Sequence, residues 1–389
     1  MNNFSRRTQL KLMFATAASS LAPTFAAAQT DAPIRVGVLA SLTGPGAFGG
    51  DPTAKGAKLA IDEVNKAGGI NGRKIELTTY DTEGKADTAL VFMKRLVAED
   101  KVAVILGPDF SATVRASLPV SDEAKVPVLF MTPIVEPKSD GDSYQFTTFP
   151  SEETSYRVAL THLKARGVHK LSVVATTDLT GESGVTKLKA LSPEYGIALV
   201  AVERLEALDK DVTPQLTNAA RAEPEAIFYI GTGAGVAVIC KGFARLGLKQ
   251  PLAISTGAVS GTFPQLLKGI APDTLLFPTY KMMLSDALPP NDPNKIEIDK
   301  FAKLYEETYK KKADFYAGSG WDVAHIAIQA MKKGGDDRTK IRDAILQIQN
   351  FTGAFTTVSF GPGRHRGGGA DAQVMGQFKD DKFFPAKIP

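Results

Sequence analysis

Apolar and polar positions along the chain follow two alternating patterns between Ile34 and about Tyr280. Short runs rich in β-branched residues alternate with stretches in which apolar residues recur at helical spacing, and the pair repeats about every 25 to 30 residues. Most of the short runs are nearly continuously apolar, as expected for parallel strands that are buried on both faces. The pattern therefore predicts an α/β fold of parallel βαβ units. The predicted strands cover residues 34–40, 75–81, 102–106, 126–131, 170–175, 197–205, 226–230, 252–255 and 274–277.

Two of the predicted helices have clear starts and ends. In the first, we predict that Asp51 caps the helix and that Pro52 occupies its first position, and Gly68-Gly69 ends it. In the second, Ser151 is the predicted cap of a helix that ends at Gly167. This second helix opens a new series of strands, so we place a lobe boundary immediately before it.

The length of the chain and the position of its last helices predict two lobes. The sequence has 389 residues, which is enough for two hydrophobic cores at about 150 residues per domain. Helical stretches at about 294–311 and 316–333 follow the second series of strands, which indicates that the chain returns to complete the first lobe. We therefore expect several connections between the lobes. The predicted lobe 1 comprises residues 29–149 and 279–356, and the predicted lobe 2 comprises residues 150–278 and 357–389.

The N-terminal 28 residues have the features of a cleavable export signal. Arg6, Arg7 and Lys11 form a basic start, residues 12–21 form an apolar run, and three alanines end at Ala28. The apolar run is shorter than the roughly 20 residues needed to span a bilayer, so we expect cleavage after Ala28 and a location in the periplasm. The paired arginines leave the general secretory route and the twin-arginine route both open. The end of the signal has no cysteine, so no lipid anchor is expected.

Net charge and cysteine content exclude several classes of function. The formal net charge is +4 and falls to about +1 once the leader is removed, so no basic field for nucleic acid remains. Cys240 is the single cysteine of the sequence, which excludes disulfides and thiolate metal clusters, and its apolar helical setting is typical of a core position. No later segment has 18 consecutive apolar residues. We therefore expect a soluble monomer without a metal or cofactor.

No sequence motif points to catalysis or to nucleotide binding. Residues 231–235 (Gly-Thr-Gly-Ala-Gly) lack the spacing of a dinucleotide-binding loop, and we interpret them as a strand-to-helix turn that borders a cleft. The four histidines show no helical pairing, and no G-x-S-x-G elbow is present. Residues 364–366 (Arg-His-Arg) precede three glycines, so we expect an exposed loop there, with an anion-binding patch as the alternative. These observations argue against an enzyme.

Turns after the predicted strands contain the candidate ligand-binding residues, because open α/β sheets bind ligands at the carboxyl ends of parallel strands. The first turn of lobe 1, residues 42–49, is rich in glycine and presents Phe48 as an apolar wall beside Gly49. A similar Leu-Thr-Gly sequence, which includes Thr180, follows the first predicted strand of lobe 2. A chance match of three residues is the alternative; otherwise both segments are turns at the carboxyl ends of parallel strands, where ligands bind.

The second turn of lobe 1 contains Asp109, Phe110 and Ser111 and ends at the start of a helix. The unpaired amides of that helix and the Ser111 hydroxyl would hold a carboxylate; the alternative is that Ser111 only caps the helix. The third turn adds the hydroxyl of Thr132 and the carboxylate of Glu136. The alternative for Glu136 is a solvated loop acid.

Five short motifs occur in order along the chain. They are Leu42-Thr43-Gly44-Pro45, then Asn65-x-x-Gly68-Gly69-Ile70-Asn71-Gly72-Arg73, then Tyr80-Asp81, then Gly107-Pro108-x-x-Ser111, and late in the sequence Trp321-Asp322-Val323-Ala324. With them, essentially the whole mature chain resembles the periplasmic leucine/isoleucine/valine-type binding proteins of ABC transporters. The resemblance implies a type I periplasmic binding fold, in which two Rossmann-like lobes with parallel sheets are joined by three hinge strands. Such lobes close on a ligand and deliver it to a membrane permease.

The resemblance also implies roles for particular residues. The family's carboxylate-binding serine falls on Ser111, and its backbone contact after the next strand falls on Ile134. Three positions depart from the family. The threonine that helps to hold the amino group falls on Glu136, the stacking tyrosine on Thr180, and the ammonium-binding glutamate on Gly257. A buried ammonium without a carboxylate costs several kcal/mol, so either Glu136 replaces that glutamate or the ligand has no ammonium group.

The sequence therefore favours the periplasmic substrate-binding component of an ABC importer. Its expected ligand is a small carboxylate. We expect a branched-chain or other hydrophobic amino acid, and the alternative is an aromatic or branched carboxylate that lacks an ammonium group. A ligand-sensing module with the same fold and a secreted α/β enzyme are the alternative classes. The candidate ligand-binding residues are Phe48, Gly49, Asp109, Phe110, Ser111, Thr132, Ile134, Glu136, Thr180, Thr232, Gly257 and Tyr280.

Overall fold

The computed structural model describes residues 32–369 and 372–388, so the predicted export signal lies outside the described residues. None of the helices in these ranges has the length and apolar character that crossing a bilayer requires. The strands are β1 (Ile34–Ala40), β2 (Ile75–Asp81), β3 (Val104–Leu106), β4 (Val128–Phe130), β5 (Gln145–Thr147), β6 (Lys170–Thr176), β7 (Ala198–Leu205), β8 (Ala226–Ile230), β9 (Leu252–Ile254), β10 (Leu275–Tyr280), β11 (Phe351–Thr352), β12 (Thr357–Val358), β13 (Gln373–Lys379) and β14 (Lys382–Pro385). The helices are α1 (Ala47–Lys66), α2 (Ala86–Ala98), α3 (Ser111–Glu123), α4 (Glu152–Ala165), α5 (Leu179–Leu191), α6 (Thr213–Arg221), α7 (Gly235–Leu246), α8 (Phe263–Leu267), α9 (Pro293–Tyr309), α10 (Phe315–Gly334) and α11 (Arg338–Leu346).

The first sheet has five parallel strands in the order β2-β1-β3-β4-β5. β1 and β2 pair without a register shift, from Ile34 opposite Ile75 to Ala40 opposite Asp81. Helices α2 and α3 cover one face of the sheet, and α1 and α10 cover the other. Both faces are therefore buried, which explains the continuous apolar runs of the central strands.

The second sheet has seven strands in the order β14-β13-β10-β9-β8-β6-β7. The strands from β7 to β10 are parallel, whereas β13 and β14 add an antiparallel edge. Helices α4 and α5 pack on one face, and α6, α7 and α8 pack on the other. The predicted α/β fold with parallel sheets is confirmed. We propose that each sheet is the centre of one lobe, and we call the first sheet with its helices lobe 1 and the second sheet with its helices lobe 2.

The predicted strands at 102–106 and 126–131 are longer than those observed, because their first residues belong to helix ends. The amide of Val102 donates to the carbonyl of Leu96 at 3.1 Å, and the amide of Val126 donates to that of Ser121 at 2.9 Å. These carbonyls are left free at the ends of α2 and α3 and take the amides that would otherwise extend a strand. Strand β5 has only three residues and was not predicted.

Helix α1 begins earlier than the sequence predicted. A 3-10 turn at Gly44–Gly46 runs directly into Ala47, so Pro52 lies inside the helix. Asp51 is not the cap, because its carboxylate accepts a hydrogen bond from the Lys55 ammonium one turn later. In the other predicted helix, Ser151 does occupy the cap position of α4, although its side chain bonds no amide there.

Helices α1 and α10 pack closely because glycines stand at their contact. A Cβ atom built on Gly56 would lie 1.9 Å from the carbonyl oxygen of Ala317, and one on Gly320 would lie 1.9 Å from that of Thr53. Side chains at either position would force the helices apart. The contact brings α10 back onto lobe 1 after the chain has passed through the second sheet.

The connections between the sheets meet in an aromatic cluster. The chain leaves lobe 1 after β5 and returns to it after β10, and residues near Arg366 pass beside β5 before the chain enters β13. Phe355 packs against Phe149 and Tyr280 with ring centroids 4.6 and 4.3 Å apart, and Tyr280 packs against Phe315 at 4.9 Å. These four buried rings, which we call the hinge cluster, hold the crossing segments together.

We predict that Gly56→Ala lowers the free energy of unfolding by about 1–3 kcal/mol, because overpacking at the α1–α10 contact outweighs the helix propensity gained. Urea unfolding of the variant and the wild type measures the difference. Gly141→Ala is the control, since no atom lies within 4 Å of a Cβ atom at that position. Equal unfolding midpoints for the two variants would contradict the close-packing explanation.

Candidate functional site

Turns at the carboxyl ends of strands from both sheets surround a cavity between the lobes, as the topology predicted. In lobe 1 they follow β1, β3 and β4, and in lobe 2 they follow β6, β8 and β9. Of the candidate residues, the cavity is lined by Phe48, Gly49, Asp109, Phe110, Ser111, Thr132, Ile134, Thr180, Thr232, Gly257 and Tyr280. It is also lined by Gly46, Met131, Pro133, Phe149, Glu152, Ser155, Tyr156, Phe228, Ser255, Thr256, Pro278, Phe315 and Tyr316, which the sequence did not single out.

Ser111 is the first residue of α3 and does not cap it. The cap position is Phe110, and no side chain caps the helix. The Ser111 hydroxyl instead forms a hydrogen bond with the Thr132 hydroxyl at 2.9 Å, and Ser111 is buried. The alternative interpretation of Ser111 as an ordinary cap is therefore wrong. A helix start without a side-chain cap, at the wall of a cavity, favours the binding of an anionic group such as a carboxylate.

Two carboxylates fix the glycine-rich turn after β1. Asp81 accepts hydrogen bonds from the Leu42 amide at 2.9 Å and from the Thr43 hydroxyl at 2.6 Å. Asp109 accepts hydrogen bonds from the amide and the hydroxyl of Ser41, at 3.0 and 3.1 Å. Enclosure between the lobes raises the pKa of Asp109 to about 6, although the donors of Ser41 oppose the shift. Both acids are thus used to position the turn.

Contacts from lobe 1 to lobe 2 close the cavity. Within lobe 1, the Phe48 ring packs edge-on against Tyr316, with centroids 5.6 Å apart and planes at 82°. Phe48 also reaches lobe 2 at Gly233, where a Cβ atom would lie 3.1 Å from the ring. The Tyr316 hydroxyl donates to the carbonyl of Gly257 at 3.1 Å. The contacts of Phe48 with Gly233 and of Tyr316 with Gly257 cross the cleft, so these two stabilise a closed arrangement of the lobes.

The structure does not bring Glu136 into the cavity. Its side chain is 71% exposed, and its Oε2 accepts hydrogen bonds from Nη2 and Nε of Arg366 at 2.9 and 3.1 Å. The proposed role of Glu136 as an ammonium partner is therefore not supported, because the acid is engaged at the surface. The segment of Arg366 is not the exposed loop that was predicted. The Arg366 guanidinium is 11% exposed and also donates to the carbonyls of Val135, Phe149 and Pro150.

Glu152 is a buried lining acid that sequence reasoning missed. It is the first residue of α4 and is 7% exposed. The Tyr156 hydroxyl donates to its Oε1 at 3.2 Å, and the Ser183 hydroxyl donates to its Oε2. Burial raises the pKa of the Glu152 carboxyl, while Ser183, Tyr156 and the charge of Lys187 oppose that shift. Acids in the first turn of a helix are common because the macrodipole favours them, so nothing in the sequence marked this one as buried.

The cavity carries negative charge on apolar walls. Among the described residues that line it, Asp109 and Glu152 are acidic and none is Lys, Arg or His. The other polar side chains there are hydroxyls, and the apolar ones are mainly aromatic rings. A ligand that carries only a negative charge would be buried beside two carboxylates without a cation, which is costly. A ligand with both signs of charge fits this lining better.

Comparison with known proteins gives a consistent picture. The sequence model of a family described as periplasmic binding protein matches residues 33–381. The Leu/Ile/Val-binding protein homolog 3 of Brucella melitensis is 27% identical over 277 residues, which are 70% of this chain and 73% of that protein. The leucine-, isoleucine-, valine-, threonine- and alanine-binding protein of Pseudomonas aeruginosa is 24% identical over 317 residues, 80% of this chain and 82% of that protein.

Solved structures establish the fold at about 20% identity. An extracellular ligand-binding receptor from Rhodopseudomonas palustris superposes with a TM-score of 0.83 at 20% identity and covers 92% of this chain and 100% of its own. The branched-chain amino acid transporter substrate binding protein of Streptococcus pneumoniae, in complex with isoleucine, has a TM-score of 0.78 at 20% identity, with 91% and 99% covered. A solute binding protein from R. palustris in complex with benzoate gives 0.78 at 20% identity, with 91% and 95% covered.

We predict that Arg366→Met lowers the free energy of unfolding by about 2–4 kcal/mol, because it leaves several partly buried carbonyls without a donor. Chemical denaturation measures the change. Glu136→Gln is the matched control, because it removes only the exposed partner of the same ion pair and is expected to cost less than about 0.5 kcal/mol. A loss in the Glu136 variant as large as that in the Arg366 variant would show that the ion pair, and not the carbonyl contacts, stabilises the hinge.

Proposed function

The chain belongs to the periplasmic binding protein family, and we propose that it is the substrate-binding component of an ABC importer for a hydrophobic amino acid. The observation that carries this proposal is the cavity between two lobes in which Ser111 and the uncapped start of α3 face apolar walls. No step in this function makes or breaks a covalent bond. The ligand binds the open protein, and contacts to both lobes stabilise the closed form.

The carboxylate of the ligand is assigned to lobe 1. The Ser111 hydroxyl and the first-turn amides of α3 supply hydrogen-bond donors, and the helix dipole adds a favourable field. Thr132 orients the Ser111 hydroxyl through their mutual hydrogen bond. This arrangement needs no cationic side chain, which agrees with the lining of the cavity.

The side chain of the ligand is assigned to the aromatic walls. Phe48, Phe110 and Tyr316 from lobe 1 and Phe228 from lobe 2 supply apolar surface, so a branched or aromatic side chain is preferred to a polar one. The negative charge of the cavity favours an amino acid over a carboxylate that lacks an ammonium group. The names of the Brucella and Pseudomonas relatives support the same ligand class.

The cellular setting follows from the export signal and the family. We propose that the signal is cleaved after Ala28, that the mature monomer stays in the periplasm without a lipid anchor, and that it passes its ligand to the permease subunits of the transporter. Thermal-shift screening of the purified mature protein against branched-chain amino acids, aromatic amino acids and aromatic carboxylates tests the ligand class. At about 100 times the dissociation constant, a true ligand adds about 2.7 kcal/mol of stability. Failure of every amino acid to stabilise the protein would overturn the proposal.

We predict that Ser111→Ala weakens ligand binding about tenfold, because a charge-assisted hydrogen bond to the carboxylate is lost. At the same ligand concentration the stabilisation falls from about 2.7 to about 1.4 kcal/mol, while the melting temperature of the free protein barely moves. Ser117→Ala is the control on the same helix, since the buried Ser117 hydroxyl bonds only the Thr113 carbonyl. An unchanged ligand response in the Ser111 variant would remove this residue from the site.

We also predict that Tyr316→Phe raises the dissociation constant about 2- to 10-fold, because the closed form loses the hydrogen bond to Gly257 across the cleft. Isothermal titration calorimetry measures the change. Tyr309→Phe serves as the control, because its hydroxyl donates to the Lys55 carbonyl at 3.2 Å within lobe 1. If both variants bind equally well, the contact between Tyr316 and Gly257 does not contribute to closure.

A further inference from the structure

Glu152 is a buried carboxylate of the cavity that forms no salt bridge within the described residues, although the charge of Lys187 acts on it. Its two oxygens accept hydrogen bonds from Tyr156 and Ser183, which are neutral hydroxyls, and no Lys or Arg of the described chain lies within ion-pair distance of it. A carboxylate in such a place has acceptor capacity left over, since its two oxygens offer about four sites. A donor for the remaining acceptor sites of Glu152 has to come from within the cavity.

The other acids near the cavity already have partners. Asp109 accepts the amide and the hydroxyl of Ser41 at Oδ1 and is also bonded by the backbone amides of Asp109 and Phe110. Glu136 is paired with Arg366. At Gly257, where the family resemblance places an ammonium-binding glutamate, there is no side chain. Glu152 is therefore the acid of the lining that remains for a positively charged group.

The position of Glu152 places it near the assigned carboxylate site. Its amide donates to the carbonyl of Pro133 at 3.2 Å, and Pro133 directly follows Thr132, the partner of Ser111. Glu152 nevertheless begins α4, a helix of lobe 2. A small zwitterion bound there would contact lobe 1 with one charged end and lobe 2 with the other.

We propose that Glu152 is the ammonium-binding residue of this protein and that it restricts the ligands to compounds with an α-ammonium group beside the carboxylate. This inference rests on the proposed function and refines it. Tyr156 and Ser183 hold the Glu152 carboxylate in place, and their hydrogen bonds favour its ionised form against the effect of burial. Contact with the ammonium supplies a charge-assisted hydrogen bond that forms only when lobe 2 lies over the ligand.

Calorimetric titration of the mature protein with two pairs of probes tests the assignment. L-Leucine and L-phenylalanine carry the ammonium group, whereas 4-methylpentanoate and 3-phenylpropanoate are the same molecules without it. Glu152→Gln is the test variant. Glu153→Gln is the matched control, because it is the same substitution in the same helical turn, at an exposed acid paired with Arg157.

We expect the wild type to bind both amino acids at least about tenfold more tightly than their analogues. Glu152→Gln is expected to raise the dissociation constants of the amino acids about 10- to 100-fold, and to leave those of the analogues unchanged or lower. Glu153→Gln is expected to change none of the four values by more than about twofold. The melting temperature of each free variant checks that it is folded. If Glu152→Gln does not fold, Glu152→Asp, which keeps the charge and shortens the reach, is expected to weaken the amino acids selectively.

Other outcomes separate the two proposals. A Glu152 variant that weakens both probe classes equally, or neither, overturns the ammonium assignment and leaves the proposed function intact. Analogues that bind the wild type as tightly as the amino acids also overturn it, and they indicate a protonated Glu152 that donates to a carboxylate. If the wild type binds none of the four probes, the proposed function itself fails, and the assignment of Glu152 fails with it.

Discussion

The cost of burying a carboxylate between two lobes is the constraint on which the rest of the site depends. An ionised acid removed from water has to be compensated by hydrogen bonds or by an opposite charge. The cavity meets this demand for Asp109 within the protein, through Ser41. For Glu152 it supplies two hydroxyls and the charge of Lys187, which forms no salt bridge with it. We infer that the ligand completes the compensation, so that the protein selects ligands that carry a positive charge.

This constraint explains why binding and closure are linked. In the open form water can solvate Glu152 and the start of α3, and closing the lobes without a ligand would remove that water without replacement. An occupied cavity replaces it with an ammonium and a carboxylate, so the ligand favours the closed form by its greater affinity for it. We propose that the hinge cluster and the contacts of Arg366 hold the crossing segments together during closure. Closure then becomes a movement of whole lobes, not a rearrangement of loops.

The sequence predicts the fold well because the fold depends on features that are local in sequence. The apolar runs of β1, β2 and β8 were assigned with their observed ends. Two of the errors arose where helix ends capture the amides just before a strand, at Val102 and Val126. The turns that line the cavity were also found, since strand order alone places them at one edge. The rule that ligands bind at the carboxyl ends of parallel strands places residues such as Ser111 and Thr132 at the cavity.

The same reasoning could not decide which acid faces the cavity. Glu136 lies in one of those turns, but it pairs with Arg366, which is 230 residues away in the sequence. No local sequence pattern predicts such a contact. Glu152 was overlooked for a different reason. An acid at the start of a helix is common because the helix dipole favours it, so its presence there did not indicate a role in binding. Tyr316 was missed because it belongs to α10, a helix far along the chain that packs against α1 beside the site.

We infer that close packing at Gly257 explains why the acid for the ammonium group lies at Glu152 and not in the turn after β9. A Cβ atom at Gly257 would lie 3.0 Å from the Cγ2 methyl of Thr232, and the carbonyl of Gly257 accepts the Tyr316 hydroxyl across the cleft. A side chain there would press on the Thr232 methyl group, next to the contact that closes the lobes. The turn after β9 thus contributes to closure of the lobes through the carbonyl of Gly257. On our proposal, the negative charge that pairs with the ammonium group comes from another element of lobe 2. The first turn of α4 can supply it, because the helix start favours a carboxylate and the hydroxyls of Tyr156 and Ser183 fix its position.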